Sequence, residues 1–476
     1  MSKIETEKLC KKAGKRVFER KTRFVMKEDF LHFVWRLRRF HPQGLLTTTG
    51  ETVEIIDPGQ HNSHAGPDFL NARIRIGGTL WAGSVEMHLR SSQWYAHGHQ
   101  HDPNYENVIL HVVLEEDEPV HHPNGESIPC LNLRSYLQPG LARQYLRLLH
   151  SEQWIPCQTQ LYQVPEINRQ LWLDRLLVER LEQRTQQLAE RLVNNNQDWE
   201  ETFYQSLAWG LGLRVNADAF LMLAESLPLK VLQRHRDSLL QLEALLFGQA
   251  GMLEATFQDK YPQQLQQEYR FLRAKFQLQP ISANHWKFMR MRPANFPTVR
   301  IAQWATLLFR TGQLFSKMLV AANVKEIENA FVVELSNYWQ THYRFDKESH
   351  KSNKALGRAR IHLLIINIIA PFLFLYGKLR GEDLYQERAL QLLEEVPAEK
   401  NHILREWSAL GIKAEQAGHS QALLYLKHHY CDQRRCLDCA IGCQILNQPS
   451  TAQEEAEPYL PIWWLEPAAE SKSEES

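Results

Sequence analysis

The chain has 476 residues, 43% of them hydrophobic and 23% charged. This is a globular composition able to bury a core and long enough for about two to four domains. Lys+Arg and Asp+Glu both number 55, so no global charge draws the chain toward nucleic acid, and any such contact must come from local patches.

Charge and residue type are unevenly spread. The segment from Met1 to His41 is basic, the tail from Glu454 to Ser476 is mostly glutamate and serine, and many of the 21 histidines fall near residues 85–125. The opening "MSKIETEKLCKKAGKRVF" lacks the apolar centre of a signal peptide. The longest apolar run, Ile361–Gly377, is short for a membrane span and carries His362, Asn367 and Pro371, which predicts a buried helix and no membrane partner. Of the seven cysteines, four lie between Cys431 and Cys443. Without an export signal, that clustering points to reduced thiols in the cytoplasm and to a metal site rather than disulfides.

In chain order, "KEDFLHFVWRLRRF" places Phe30, Phe33, Val34 and Leu37 at helical spacing, with Asp29 near the start. "TVEIID" reads as a strand ended by Pro58-Gly59. "FLNARIRIGG" and "TLWAGSVEMHL" form a hairpin about Gly77-Gly78, and "NVILHVVLEED" is a strand apolar enough to be buried on both faces. The polar stretch between the last two holds Asp102-Pro103, fit to begin a short helix. Residues 1–140 are therefore expected to form a mixed α/β sheet domain. Beyond Pro165 the pattern turns amphipathic, most clearly in "INRQLWLDRLLVERLEQRTQQLAERLV", and residues 165–425 are expected to be all-helical, without a fixed repeat. A cysteine motif at 426–447 and a flexible tail at 448–476, in which Trp463 and Trp464 suggest a docked piece, complete an α+β chain.

Two stretches carry candidate chemistry in the first domain. Asp68 follows Pro67 on one arm of the hairpin, and Glu86 and His88 lie on the other. Two carboxylates suit Mg²⁺ or Mn²⁺ through oxygen ligands, and His88 would assist or bind a softer metal. Strand parity opposes the grouping. With a two-residue turn, Asp68 pairs with Met87 and faces away from Glu86 and His88, while Leu70 and Ile74 join Trp81 and Val85 on an apolar face. A one-residue bulge, for which Gly83 is the natural position, or a three-residue loop would bring the three together. "HGHQHD" offers His97, His99 and His101 as further ligands against the alternative of a polar loop, and His111 reads as a satisfied buried histidine.

Two more lie further on. Cys431, Cys436, Cys439 and Cys443 are spaced x4, x2, x3 and suit Zn²⁺ or an iron–sulfur cluster. "KFMRMRPANFPTVR" holds Lys287, Arg290, Arg292 and Arg300 with no acid. On a proline-fixed loop beside Phe296 these suit phosphate contact and base stacking, or equally a structural role.

"HAGPDFLNARI", "GSVEMHLRSSQW", "NVILHVV", "EALLFGQAGML", "RMRPANFPTVR" and "CLDCAIG" together resemble a bacterial family, the domain of unknown function 2851. The resemblance implies no activity. A second one concerns the N-terminal region alone. Helix, strand, strand with Pro-Asp, strand with Glu-x-Lys, helix, strand is the core order of the PD-(D/E)XK nuclease superfamily, and Pro67-Asp68 and Glu86-Met87-His88 stand at its motif positions. His88 replaces the lysine. That resemblance implies a metal-dependent nuclease with Asp68, Glu86 and His88 as catalytic residues and nucleic acid as partner. The rival expectation is a non-catalytic adaptor for nucleic acid or protein, with the nuclease-like fold degenerate.

Overall fold

The computed structural model describes residues 26–448 except 63, 123 and 139; the tail expected at 448–476, with Trp463 and Trp464, lies almost wholly outside the described residues. These divide into two compact units. Residues up to Arg169 together with those from His428 onward make one, and Gln170–Lys427 the other.

The first unit is built on a mixed sheet. Helix α1 (Glu28–Arg36) opens with two acids in its first turn, which favours initiation against the helix dipole. It buries Phe30, Leu31, Phe33, Val34 and Trp35, each contributing roughly 1.5–3 kcal/mol of apolar transfer, and packs on the sheet. Leu37, expected on that face, is exposed just past the last turn. The strands are β1 (Val53–Asp57), β2 (Gln60–His61), β3 (Phe69–Ile76), β4 (Thr79–Arg90), β5 (Val108–Glu115) and β6 (Cys130–Asn132). Their order is β1-β3-β4-β5-β6, with β2 also beside β3. β1, β3 and β4 run antiparallel, whereas β4–β5 and β5–β6 are parallel. All but the last residue of β5 is buried, as its continuous apolar run predicts for a central parallel strand. The link from β4 to β5 carries a short helix, α2 (Gln93–Ala96), and two 3₁₀ turns. In the second turn, Asp102 caps Pro103–Tyr105 by accepting from Asn104 N at 2.9 Å.

The cysteine segment belongs to this unit and is not an end-piece of the helical domain. Arg39 donates to Leu446 O at 3.1 Å, Arg434 to Leu148 O at 3.4 Å, and Asn168 to Gln444 Oε1 at 3.0 Å. These bonds join residues hundreds of positions apart, so no local pattern could announce them.

The second unit is mostly helical, with one apolar core. The long amphipathic pattern becomes a helix over Glu166–Asn194 that begins at the end of the first unit. A small hairpin, His342–Arg344 with Lys347–Glu348, departs from the all-helical expectation. The apolar run lies in a helical stretch, Arg358–Arg380, whose most apolar window is 67% buried; among the described residues it alone is long and apolar enough to cross a bilayer. Pro371 does not break it. A π-turn at Ile365–Ile369 precedes the proline, and such a turn accommodates the missing N–H and the ring.

Candidate metal and acid centre

The turn at Gly77-Gly78 has φ +56° and +92° and joins the directly paired Ile76 and Thr79, a two-residue hairpin of the kind that needs glycine. A regular ladder from there would carry Asp68 to the wrong face. The pairing is regular from Ile76↔Thr79 to Ala72↔Gly83, but the next pair is Phe69↔Val85. Leu70 and Asn71 thus stand opposite Ser84 alone. Asn71 takes φ +59°, the left-handed conformation that asparagine tolerates better than most residues. This bulge exposes Leu70 and takes it off the apolar face on which Ile74 and Val85 are buried, while Trp81, paired with Ile74 on that face, stays exposed near its end.

The bulge is therefore in β3 and not at Gly83. Gly83 serves a different purpose. A Cβ there would lie 2.5 Å from Ile109 Cγ2 and 2.6 Å from Asn107 O, so the glycine lets the chain entering β5 approach closely.

Beyond the bulge, Asp68 lies opposite Glu86. Asp68 N donates to Glu86 Oε2 at 3.1 Å, and Met87 N donates to Asp68 Oδ2 at 3.0 Å. His32, on α1, places Nε2 3.2 Å from Asp68 Oδ2. Glu86 Oε1 lies 3.3 Å from His99 Nε2 and 3.6 Å from His88 Nε2. His88 Nε2 is 3.1 Å from His97 Nδ1, and His88 Nδ1 is 2.9 Å from His111 Nε2. Asp68, Glu86 and His88 thus converge.

His97 and His99 are brought to the same point. One ring nitrogen from each of His88, His97 and His99 lies within 4.8 Å of the others, running from buried His88 to exposed His97. With Glu86 Oε1 alongside, the donors are three imidazoles and a carboxylate. This set suits Zn²⁺, Mn²⁺ or Fe²⁺ better than the all-oxygen shell that Mg²⁺ prefers. His99 Nε2 is buried, with Glu86 Oε1 at 3.3 Å as its charged neighbour. His101 is exposed and does not join. His99 is held between aromatic rings, stacked on Tyr105 at 3.9 Å and edge-on to Trp94 at 5.4 Å.

Burial dominates the electrostatics of the group. Burial, and then the charge of Asp68, push Glu86 up to about 9. Burial and the neighbouring imidazoles of His111, His97 and His99 hold His88 down at about 2, and burial holds His111 at about 3. Burial also lowers His97 and His99. All these rings are neutral, hence ligand-competent, near pH 7. His32 differs. Burial works against its charge, but the hydrogen bond and charge of Asp68 raise its pKa. Glu28, one turn before His32 on α1, is raised by burial and by Asp68 and accepts from Gln93 Nε2 at 3.1 Å.

His32, Glu28 and His111 were not legible as site residues. The available signal for the first two was their i, i+4 spacing on one helix face. His111 is buried as expected, and its partner is His88, which makes it a support for a candidate ligand ring.

Residues 28–402 match the family model described as a protein of unknown function, DUF2851. The chain belongs to that family. No curated protein and no solved structure matches it.

The other sequence-predicted residues lie elsewhere. Cys436 and Cys439 are buried, while Cys431 and Cys443 are half-exposed. In the helical unit Lys287, Arg290 and Arg292 are exposed, but Arg300 is not available to a ligand. It is buried and donates to Gln303 Oε1 at 2.7 Å and Asn295 Oδ1 at 2.6 Å. Phe296 is also engaged, edge-on to Phe288 at 5.3 Å with the Arg344 guanidinium 5.1 Å from its ring. Proline placement made the loop, as expected. Packing then assigned Arg300 and Phe296 to structure.

Proposed function

We propose that the first unit is a metal-dependent phosphodiesterase acting on nucleic acid. The single observation that carries the reading is the bulge at Asn71, which sets Asp68 against Glu86 beside the histidine group. A helix on a mixed sheet whose crossover strand runs parallel to the strand carrying Glu86 and His88 is compatible with that reading.

Glu86, His88, His97 and His99 would hold the cation, which when bound supplies Lewis-acid charge and a water of lowered pKa. Asp68, between Met87 N and His32, is placed to orient that water or accept its proton. His32 also lines a cleft of about 310 Å³ whose wall includes Lys27, Arg36, Arg434 and Arg435. Asp29 and Asp438 also line it, and Asp438 pairs with Arg435 at 3.1 Å, so four cations against two carboxylates leave the opening net positive, which suits a phosphate backbone. His32, with its raised pKa, is placed to donate a proton toward the leaving oxygen. His97 provides the exposed side of the centre, through which substrate would reach it.

The test is cleavage of single- and double-stranded DNA and RNA with Mn²⁺, Zn²⁺, Fe²⁺ or Mg²⁺ supplied in turn. The expected result is cleavage strongest with one of the first three and lost in Asp68→Asn and Glu86→Gln, with unchanged circular dichroism. Cleavage that persists in Glu86→Gln would overturn the reading. The alternative, a non-catalytic adaptor, is favoured by His88 standing in the lysine position and by the accessible Lys287, Arg290 and Arg292. It is supported if the protein binds polynucleotide but cleaves none.

A further inference from the structure

The cleft beside the acid centre has two kinds of wall, and only one of them suits phosphate. Four separate parts of the first unit meet there: α1 with the residue before it, strand β2, the helix Leu141–His150 and the segment 433–438. Its cations, Lys27, Arg36, Arg434 and Arg435, outnumber Asp29 and Asp438 and are exposed or half-exposed, whereas Phe33, Tyr145, Leu149 and Leu437 are buried. The cleft is thus cationic where it meets solvent and apolar where it does not.

The buried wall is fixed by packing. Tyr145 is stacked on Phe30 of α1 with ring centroids 5.1 Å apart. Arg434 takes φ +56°, a left-handed conformation that costs a non-glycine residue energy, and its guanidinium donates to Leu148 O at 3.4 Å. Lys27 and Arg36 are not committed in this way. Both are exposed, and among the described residues neither side chain makes a hydrogen bond or ion pair. A further wall is made of imidazole. The rings of His32 and His61 lie 5.4 Å apart, and His61 packs on Phe69 at 5.2 Å. His61 is exposed, and His32 reaches Asp68 Oδ2 at 3.2 Å. An occupant of the cleft therefore lies one side chain away from the acid centre.

A duplex does not use such a cleft. Its bases are paired and stacked, so it offers phosphates to the cations and nothing to the buried interior. An unpaired nucleotide offers both, a planar base for the apolar and ring-bearing walls and a phosphate for the cations at the mouth. The volume of about 310 Å³ is at the small end of ligand pockets, which run from about 300 to 1,000 Å³, and limits the occupant to a single nucleotide. We infer that this cleft binds one unpaired nucleotide of single-stranded DNA or RNA, with its base among Phe33, His61 and Tyr145 and its phosphate on Lys27 and Arg36. That the neighbouring phosphodiester is the bond cut rests on the phosphodiesterase reading; the binding itself does not.

The test is fluorescence anisotropy of the full-length protein, without added cation, using a labelled DNA oligonucleotide, its RNA counterpart and the duplex of each. Single strands are expected to bind about fivefold tighter than duplexes or more, the least that stacking one base is worth. Adenosine monophosphate should displace the single strand at concentrations where inorganic phosphate does not. Arg36→Glu and His61→Ala should each weaken single-strand binding by about fivefold or more. Duplex bound as tightly as single strand overturns the inference, and so does single-strand binding untouched by both substitutions. Because a substitution could act through folding, the wild type is also photocrosslinked to oligonucleotides carrying 5-iodouracil, with the adducts mapped by peptide mass spectrometry. Adducts should fall on the peptides containing Phe33, His61 or Tyr145, and adducts confined to other peptides overturn the inference. Cleavage is read separately. A wild type that binds single strands in this way yet cleaves nothing supports the cleft and sinks the phosphodiesterase reading. Cleavage that is lost in Glu86→Gln, without crosslinks in the cleft, sinks the cleft alone.

Discussion

Both units bury polar groups, but to different ends. In the helical unit the buried charges meet complementary partners. Glu243 accepts from Tyr261 Oη at 2.7 Å and Trp339 Nε1 at 2.9 Å, Lys354 donates to the carbonyls of Trp339 and Gln340 at 2.7 and 2.8 Å, and Arg300 is held by Gln303 and Asn295. In the sheet unit titratable groups meet one another: Asp68 lies beside Glu86, His88 among His97, His99 and His111, with His32 against Asp68 and His99 against Glu86. Burial of complementary groups rigidifies a core. Burial of like groups is costly unless a third party of opposite charge joins them. Desolvation is common to both, and what distinguishes the candidate site is that several titratable side chains face one another there rather than neutral donors and acceptors.

The comparison can be broken first at the bulge. Deleting Asn71 should restore the regular ladder, turn Asp68 away from Glu86, and abolish metal-dependent cleavage. Cleavage assays paired with circular dichroism would read this, and a folded, active deletion variant would show that convergence is not required. His88→Lys is nearly as sharp. If His88 is a ligand, calorimetric titration with Mn²⁺ or Zn²⁺ should show affinity falling by about two orders of magnitude or more, since even outer-shell partners of a metal site are worth about 10–100-fold. Unchanged affinity would show that His88 is not a ligand.

In the helical unit the expected effect is on stability. Glu243→Ala strands the Tyr261 and Trp339 donors and should cost roughly 2–4 kcal/mol in the denaturant transition of that unit. Glu243 also predicts a pH dependence. Burial raises it to about 7, above its unfolded value of about 4.5, so the folded state retains a proton that the unfolded state has lost. Stability from this group is therefore full below pH 4.5, declines by at most about 1.4 kcal/mol per pH unit up to 7, and is flat above. Glu243→Gln should remove that slope in melts taken across the window. The smallest effect is expected on the exposed loop. Arg290→Ala or Arg292→Ala should leave thermal stability unchanged and, if each contacts phosphate, flatten the salt dependence of nucleic-acid binding by about one unit of slope. Arg300→Ala should instead destabilise the unit.

Features set by neighbours in the chain were legible in the sequence alone. Gly77-Gly78 marks a two-residue turn because only glycine accepts both dihedrals cheaply. The unbroken apolar run of β5 marks a strand covered on both faces, and the repeat after Pro165 marks a long helix, because periodicity reports which sides meet the core. Asp68, Glu86 and His88 could be named from their place in that order, along with the parity break they required. The bulge's location was decided by the tertiary structure: Gly83 was needed to admit the chain entering β5, so the extra residue fell to Asn71 on the facing strand. Long-range packing likewise brought His32 to Asp68, set His97 and His99 beside His88, buried Arg300, and placed the segment Gln158–Gln163 against the helix Ala440–Leu446. Such contacts form between segments whose local patterns are independent of one another, and only burial of the shared surface couples them.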